Sequence, residues 1–182
     1  MKKIYLVLLS MLLMASCEEA PEVVEDNSAD EALANSLEPA GGRMVSLTPE
    51  AMNVASQWLA FVTAQNEIRD LRNATGHQII SNADPLRQIM NSLSSTLPEI
   101  LKVTPIESRV TVLVTKAEVL HQQTTKKNRS AAEIFEAATS LINEFENFKL
   151  QLNERFLPAP GDFQQELDRQ FNLTVDSIQQ ND

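Results

Sequence analysis

Six apolar residues, Ile134, Ala138, Leu141, Phe145, Phe148 and Leu152, follow one another at steps of 4, 3, 4, 3 and 4. This spacing places all six on one stripe of an α-helix, which turns once every 3.6 residues. In a strand the same positions would fall on both faces, so the stretch does not fit a sheet. A helix of this kind is marginal alone in water and gains its stability by burying its stripe against other helices. Ile106, Val110, Leu113, Ala117 and Leu120 repeat the pattern at steps of 4, 3, 4 and 3 and supply a partner seam. The chain holds only four glycines, and an excess of Ala, Leu, Glu and Gln favours helix throughout. The expected fold is all-α, an antiparallel up-and-down bundle of about four to five helices.

The remaining elements follow from caps and breakers. A first helix is expected from Thr48, an N-cap with Pro49 and Glu50 behind it, to Gly76 as its C-cap. It carries Met52, Ala55, Leu59 and Val62, with Trp58, Phe61, Ile68 and Leu71 widening the stripe. His77, Ile79 and Ile80 read as loop, and a short second helix opens at Asp84–Pro85 and ends at Pro98. Thr104 with Glu107, and Ser130 with Glu133, match capping boxes for the third and fourth helices. After the breaker Pro158–Gly161, Asp162 and Gln165 cap a fifth helix with apolar positions Phe163, Leu167, Phe171, Val175 and Ile178.

The N-terminus is organised differently. Lys2 and Lys3 precede an apolar run from Ile4 to Met14, then Ala15, Ser16 and Cys17, with Glu18 and Glu19 behind. Basic start, short apolar run and small residues form the three-part layout of a secretory signal. The run is shorter than the roughly 20 apolar residues that a spanning helix needs. Leu13–Met14–Ala15–Ser16–Cys17 resembles the lipobox of bacterial lipoproteins, with Met14 where leucine is commoner. That resemblance implies cleavage before Cys17 and acylation of its sulfur and new amino group. It also implies a lipid-anchored place in the bacterial cell envelope, with the outer membrane as the expected address. Cys17 is the only cysteine in the chain, so the mature domain has no thiol chemistry of its own. Residues 1–16 are thus read as signal peptide, 17–43 as lipidated cysteine and acidic spacer, and 44–182 as the bundle. The spacer holds eight acids against one arginine and lacks an apolar face; its random-coil reach is about 25 to 30 Å.

The residues available for chemistry are few. The net charge of −10 opposes nucleic-acid binding, which requires clustered Lys and Arg. With two histidines and a single cysteine placed for acylation, neither a His/Cys zinc site nor a cysteine nucleophile can be assembled. No glycine-rich phosphate loop, Gly-x-Ser-x-Gly elbow or His-Glu-x-x-His motif occurs. Glu118 and His121 form one Glu-x-x-His pair, but di-iron bundles need it twice with two further glutamates. The expected protein is therefore a non-catalytic lipoprotein without cofactor or metal. Its partners would be the bilayer, through Cys17, and another envelope protein; the sequence specifies no oligomeric state. The alternative is a small-ligand or metal-binding bundle, with a ligand groove between the first and fourth helices lined by Trp58, Phe145 and Phe148.

Overall fold

The computed structural model describes residues 27–37 and 44–157, together with 161, 167–169 and 171. Its elements are α1 (Asn27–Ala34), α2 (Pro49–Ala55), α3 (Leu59–Leu71), α4 (Gly76–Ser95), a 3₁₀ turn (Glu99–Leu101), α5 (Thr104–Thr125) and α6 (Ala131–Arg155). Among the described residues there is no β-strand, only an isolated bridge between Ser36 and Thr75. The protein is an all-α helical bundle. No helix among the described residues is long and apolar enough to cross a membrane.

The two seams of 4 and 3 set the geometry. Ile106, Val110, Leu113, Ala117 and Leu120 of α5 are all buried, as are Ile134, Ala138, Leu141, Phe145, Phe148 and Leu152 of α6. Cross-links confirm that α5 and α6 run antiparallel: Lys126 pairs with Glu133 near the turn, and Arg109 pairs with Glu144 farther along both helices. α3, α4, α5 and α6 pack in sequence, and α6 closes back on α3. Ser130 caps α6 by accepting from the Glu133 N–H. α5 is capped differently from expectation: Val103 occupies the N-cap with no side-chain bond, and Thr104 is already helical.

The expected first helix is two helices. Ser56 and Gln57 break it, so that Trp58 takes an extended conformation as the N-cap of α3. An unbroken helix would align Met52 and Leu59 on a shared face; both are exposed, at 43% and 78%. The break changes the phase and sends Trp58 and Phe61 into the core instead.

α4 begins eight residues before the expected Asp84–Pro85 start. Thr75 forms a complete capping box with Gln78, each side chain bonding the other's backbone N–H. Gly76 is therefore the first residue of α4 and not a C-cap, and Ile79 is buried helix instead of loop. α4 runs straight through Pro85, which has no N–H to give the Ser81 carbonyl. An interior proline costs about 3 kcal/mol, offset here by the burial of Ile79, Ala83, Leu86, Met90 and Leu93.

The stretch expected to be spacer contains a packed element. α1 and the residues just behind it place Leu33 and Leu37 in the core at 5% exposure each. The Leu37 N–H donates to the Ala74 carbonyl at 2.9 Å, and the Gly76 N–H donates to the Asn35 carbonyl at 3.2 Å. A Cβ on Gly76 would sit 2.7 to 2.9 Å from the Leu33 side chain and backbone, so the glycine admits the close approach of α1. Cys17 and most of the expected fifth helix lie outside the described residues; Leu167, Asp168, Arg169 and Phe171 are helical.

Candidate functional site

All three residues expected to line a groove are buried in the core, Trp58 at 4% exposure. Phe145 and Phe148 are 1% and 0% exposed and pack with Phe61 and Trp58 in one aromatic cluster. The indole stacks on Phe61 at 6.0 Å and meets Phe148 edge-on at 6.2 Å. These rings pack on one another between α3 and α6.

Trp58 does border a groove, on the opposite side of the indole and between α3 and α4. The groove has a volume of about 450 Å³ and is open to solvent. Trp58, Leu59, Ala60 and Thr63 form its α3 wall. Ile89, Ser92 and Thr96 form the α4 wall, and Pro98 closes one end. Among the described residues no charged side chain lines it. Two hydrogen bonds fix its base: the indole N–H donates to Thr96 Oγ1 at 2.9 Å, and the Thr96 hydroxyl donates to the Ser92 carbonyl at 2.6 Å. The rotamer of Trp58 is thereby locked from both sides, and Leu59 at its rim projects into solvent. Sequence reasoning found Trp58 but missed Thr96, Ile89 and Pro98, which only the packing of α4 brings beside it.

A charged cluster lies on α6, away from the groove. Glu146 is 7% exposed and accepts from Arg72 Nη2 of α3, from Lys149 Nζ at 2.9 Å and from the Val45 backbone N–H at 2.7 Å. One helical turn or two farther, Asn153 accepts from the Thr48 N–H and donates to the Ser46 carbonyl. These bonds clamp residues 45–48 along α6. The carboxylate thus accepts three hydrogen bonds, two of them from cationic side chains.

Glu118 and His121 do not form a joint ligand set. Glu118 pairs with Arg87 at 3.5 Å, while His121 Nδ1 is buried and has no hydrogen-bond partner among the described residues. Arg87 and Gln88 also donate to the Asp84 carboxylate, and these bonds hold Asp84 below the usual carboxylate range. The Asp84 carboxylate in turn raises the Arg87 guanidinium. Among the described residues no group of three or more His, Cys, Asp or Glu side chains converges as a metal site. His77, expected in a loop, stands in the first turn of α4, 3.6 Å from Asp30. Compared with protein-family models, with curated proteins and with solved structures, the chain finds no match.

Proposed function

We propose that the protein is a lipid-anchored, non-catalytic lipoprotein of the bacterial cell envelope whose helical bundle binds another envelope protein. The observation that carries this reading is the run Leu13 to Cys17 behind a basic start and a short apolar segment, with Cys17 the only cysteine of the chain. One acyl chain holds a protein only marginally, whereas two or three hold it stably. The apolar groove beside Trp58 supports the binding role: uncharged, open and rimmed by an exposed leucine, it suits the apolar face of a helix. Its volume also falls in the range of small-ligand sites, roughly 300 to 1,000 Å³, but those bury most of their ligand and this groove stands open.

Mass spectrometry of the mature N-terminus tests the anchor. The expected result is a diacylglyceryl adduct on Cys17, and Cys17→Ala should release the protein from the membrane fraction. An unmodified Cys17 in the envelope would overturn the anchor. A photo-crosslinking residue at position 59 tests the binding role, with a discrete heterologous adduct expected in the anchored protein. Failure to form any such adduct in the native envelope would count against it.

A further inference from the structure

The groove beside Trp58 is one half of a longer crevice. A second cavity, of about 430 Å³, lies between the same two helices. Along α3 and its exit, Ala60 and Thr63 line the first cavity and Glu67, Leu71 and Ala74 the second, at steps of 3, 4, 4 and 3. Along α4, Gln78, Asn82 and Leu86 line the second and Ile89, Ser92 and Thr96 the first, at steps of 4, 4, 3, 3 and 4. Such steps keep to one side of a helix, so both cavities open on the same side of the α3–α4 pair. From Gln78 to Thr96 the crevice runs about 27 Å.

The two halves differ in chemistry. Beside Trp58 the polar side chains donate within the chain: Gln57 to the Asn53 carbonyl, Ser92 to the Gln88 carbonyl and Thr96 to the Ser92 carbonyl. That half offers an occupant hydrocarbon. The far half offers the carboxylates of Glu67 and Asp70 and the amides of Asn73 and Asn82. Its one cation, Arg69, answers Asp70 at 3.4 Å, with the two side chains 70% and 71% exposed. Glu67 has no ion pair among the described residues. Asp70 stands in the last turn of α3, whose carbonyl end is already negative, so the acid opposes the helix dipole. A cation laid against this end would turn that repulsion into attraction.

We infer that the partner contributes one helix of about 18 residues, laid along the α3–α4 crevice, apolar where it meets Trp58 and Leu59 and basic where it meets Glu67 and Asp70. Glu67 and Asp70 lie about 12 and 16 Å along α3 from Leu59. The Lys or Arg side chains of the partner therefore stand two to three turns from its apolar anchor. Hydrocarbon contact supplies the affinity, while charge sets the register and discriminates among amphipathic helices. This inference deepens the binding role proposed above and rests on it for its native occupant.

Trp58 is the only tryptophan of the chain, so its fluorescence in the full chain, held in nanodiscs of zwitterionic lipid, reports occupation of the crevice. Two helical probe peptides of identical composition and crevice length are titrated. One has leucines at i, i+4 and i+7 in one half and lysines in the other; its control has the same lysines spread along the face away from the leucines. The first should bind about fivefold more tightly at low salt, the scale of two exposed ion pairs, and high salt should remove the advantage. Glu67→Gln with Asp70→Asn should remove it too. Both side chains line the open cavity, so the core is left intact. Equal affinities, an advantage that survives the double variant, or no response of Trp58 to either peptide would overturn the inference. If the heterologous adduct at position 59 forms while the peptides are not discriminated, the partner sits on the apolar half alone and only this inference falls. If the peptides are discriminated and no adduct forms, the crevice has the stated preference and the proposed function falls.

Discussion

Leu33 approaches Gly76 so closely that its carbonyl oxygen lies 2.8 Å from the point where a Cβ would stand. The glycine has an ordinary negative φ, so it is required by the neighbour it admits and not by its backbone conformation. Alanine at that position has to push α1 off α4. We expect Gly76→Ala to destabilise the domain by about 1 to 3 kcal/mol, the range for overpacking. It should also expose residues 27–34 to protease. Urea titration with limited proteolysis reads both, and an unchanged digestion pattern would contradict the tight α1–α4 contact.

Glu146 joins three separate pieces of the structure: Arg72 at the end of α3, Lys149 on α6 and the backbone of Val45. Removing it leaves two cations near the interior without a counter-charge. Breaking a buried pair by deleting one partner costs about 3 to 5 kcal/mol. Because Arg72 is partly exposed, at 18% of its side chain, Glu146→Ala is expected at or below the lower end. Hydrogen exchange should show loss of protection at Val45, while the α5–α6 seam stays protected.

Pro85→Ala should stabilise the protein. The proline is exposed in the interior of α4, so its replacement removes no core packing and restores a donor for the Ser81 carbonyl. A gain of about 1 to 3 kcal/mol is expected from the cost of an interior proline. A thermal midpoint that falls would show that the proline shapes a bend on which the α4 packing depends.

Asp84 carries a pH prediction. Its carboxylate is held below the usual range by the Arg87 and Gln88 bonds. A depressed folded pKa makes the contribution fully present above the unfolded value, about 4, and lost as pH falls through the folded value. Asp84→Asn should therefore lower the urea midpoint at pH 6, and the difference should vanish in acid, below the folded value. A difference that persists there would assign the effect to geometry and not to charge.

The sequence made some elements legible and hid others for physical reasons. The α5 and α6 seams were readable because each helix buries one stripe that is uninterrupted along its length. The α2–α3 break was hidden because its apolar residues look continuous. Its trace in the sequence is a conflict of phase, with Met52 and Leu59 on one face and Trp58 and Phe61 on another. The start of α4 was marked by Thr75 and Gln78, but reading Gly76 as a stop and Asp84–Pro85 as a start masked it. α1 left the weakest signal, Leu33 and Leu37 four residues apart among acids; two leucines become core only because α4 and α6 offer a surface. Of the groove, Trp58 alone was legible. The hydroxyl that orients it, on Thr96, is 38 residues away.

The docking of α1 changes the leash on which the bundle would work. From Cys17 to Met44 the chain has 27 steps, a contour of about 95 Å at full stretch. From Cys17 to Asn27, where α1 begins, it has ten, or about 35 Å. On an anchor at Cys17, the α1 side of the bundle would stay within that shorter radius of the bilayer however the intervening chain is arranged. A partner would have to meet it within that radius plus the reach of the domain, and detaching α1 would lengthen the leash nearly threefold. Gly76, by admitting Leu33, would then act as a stop on how far the protein can search.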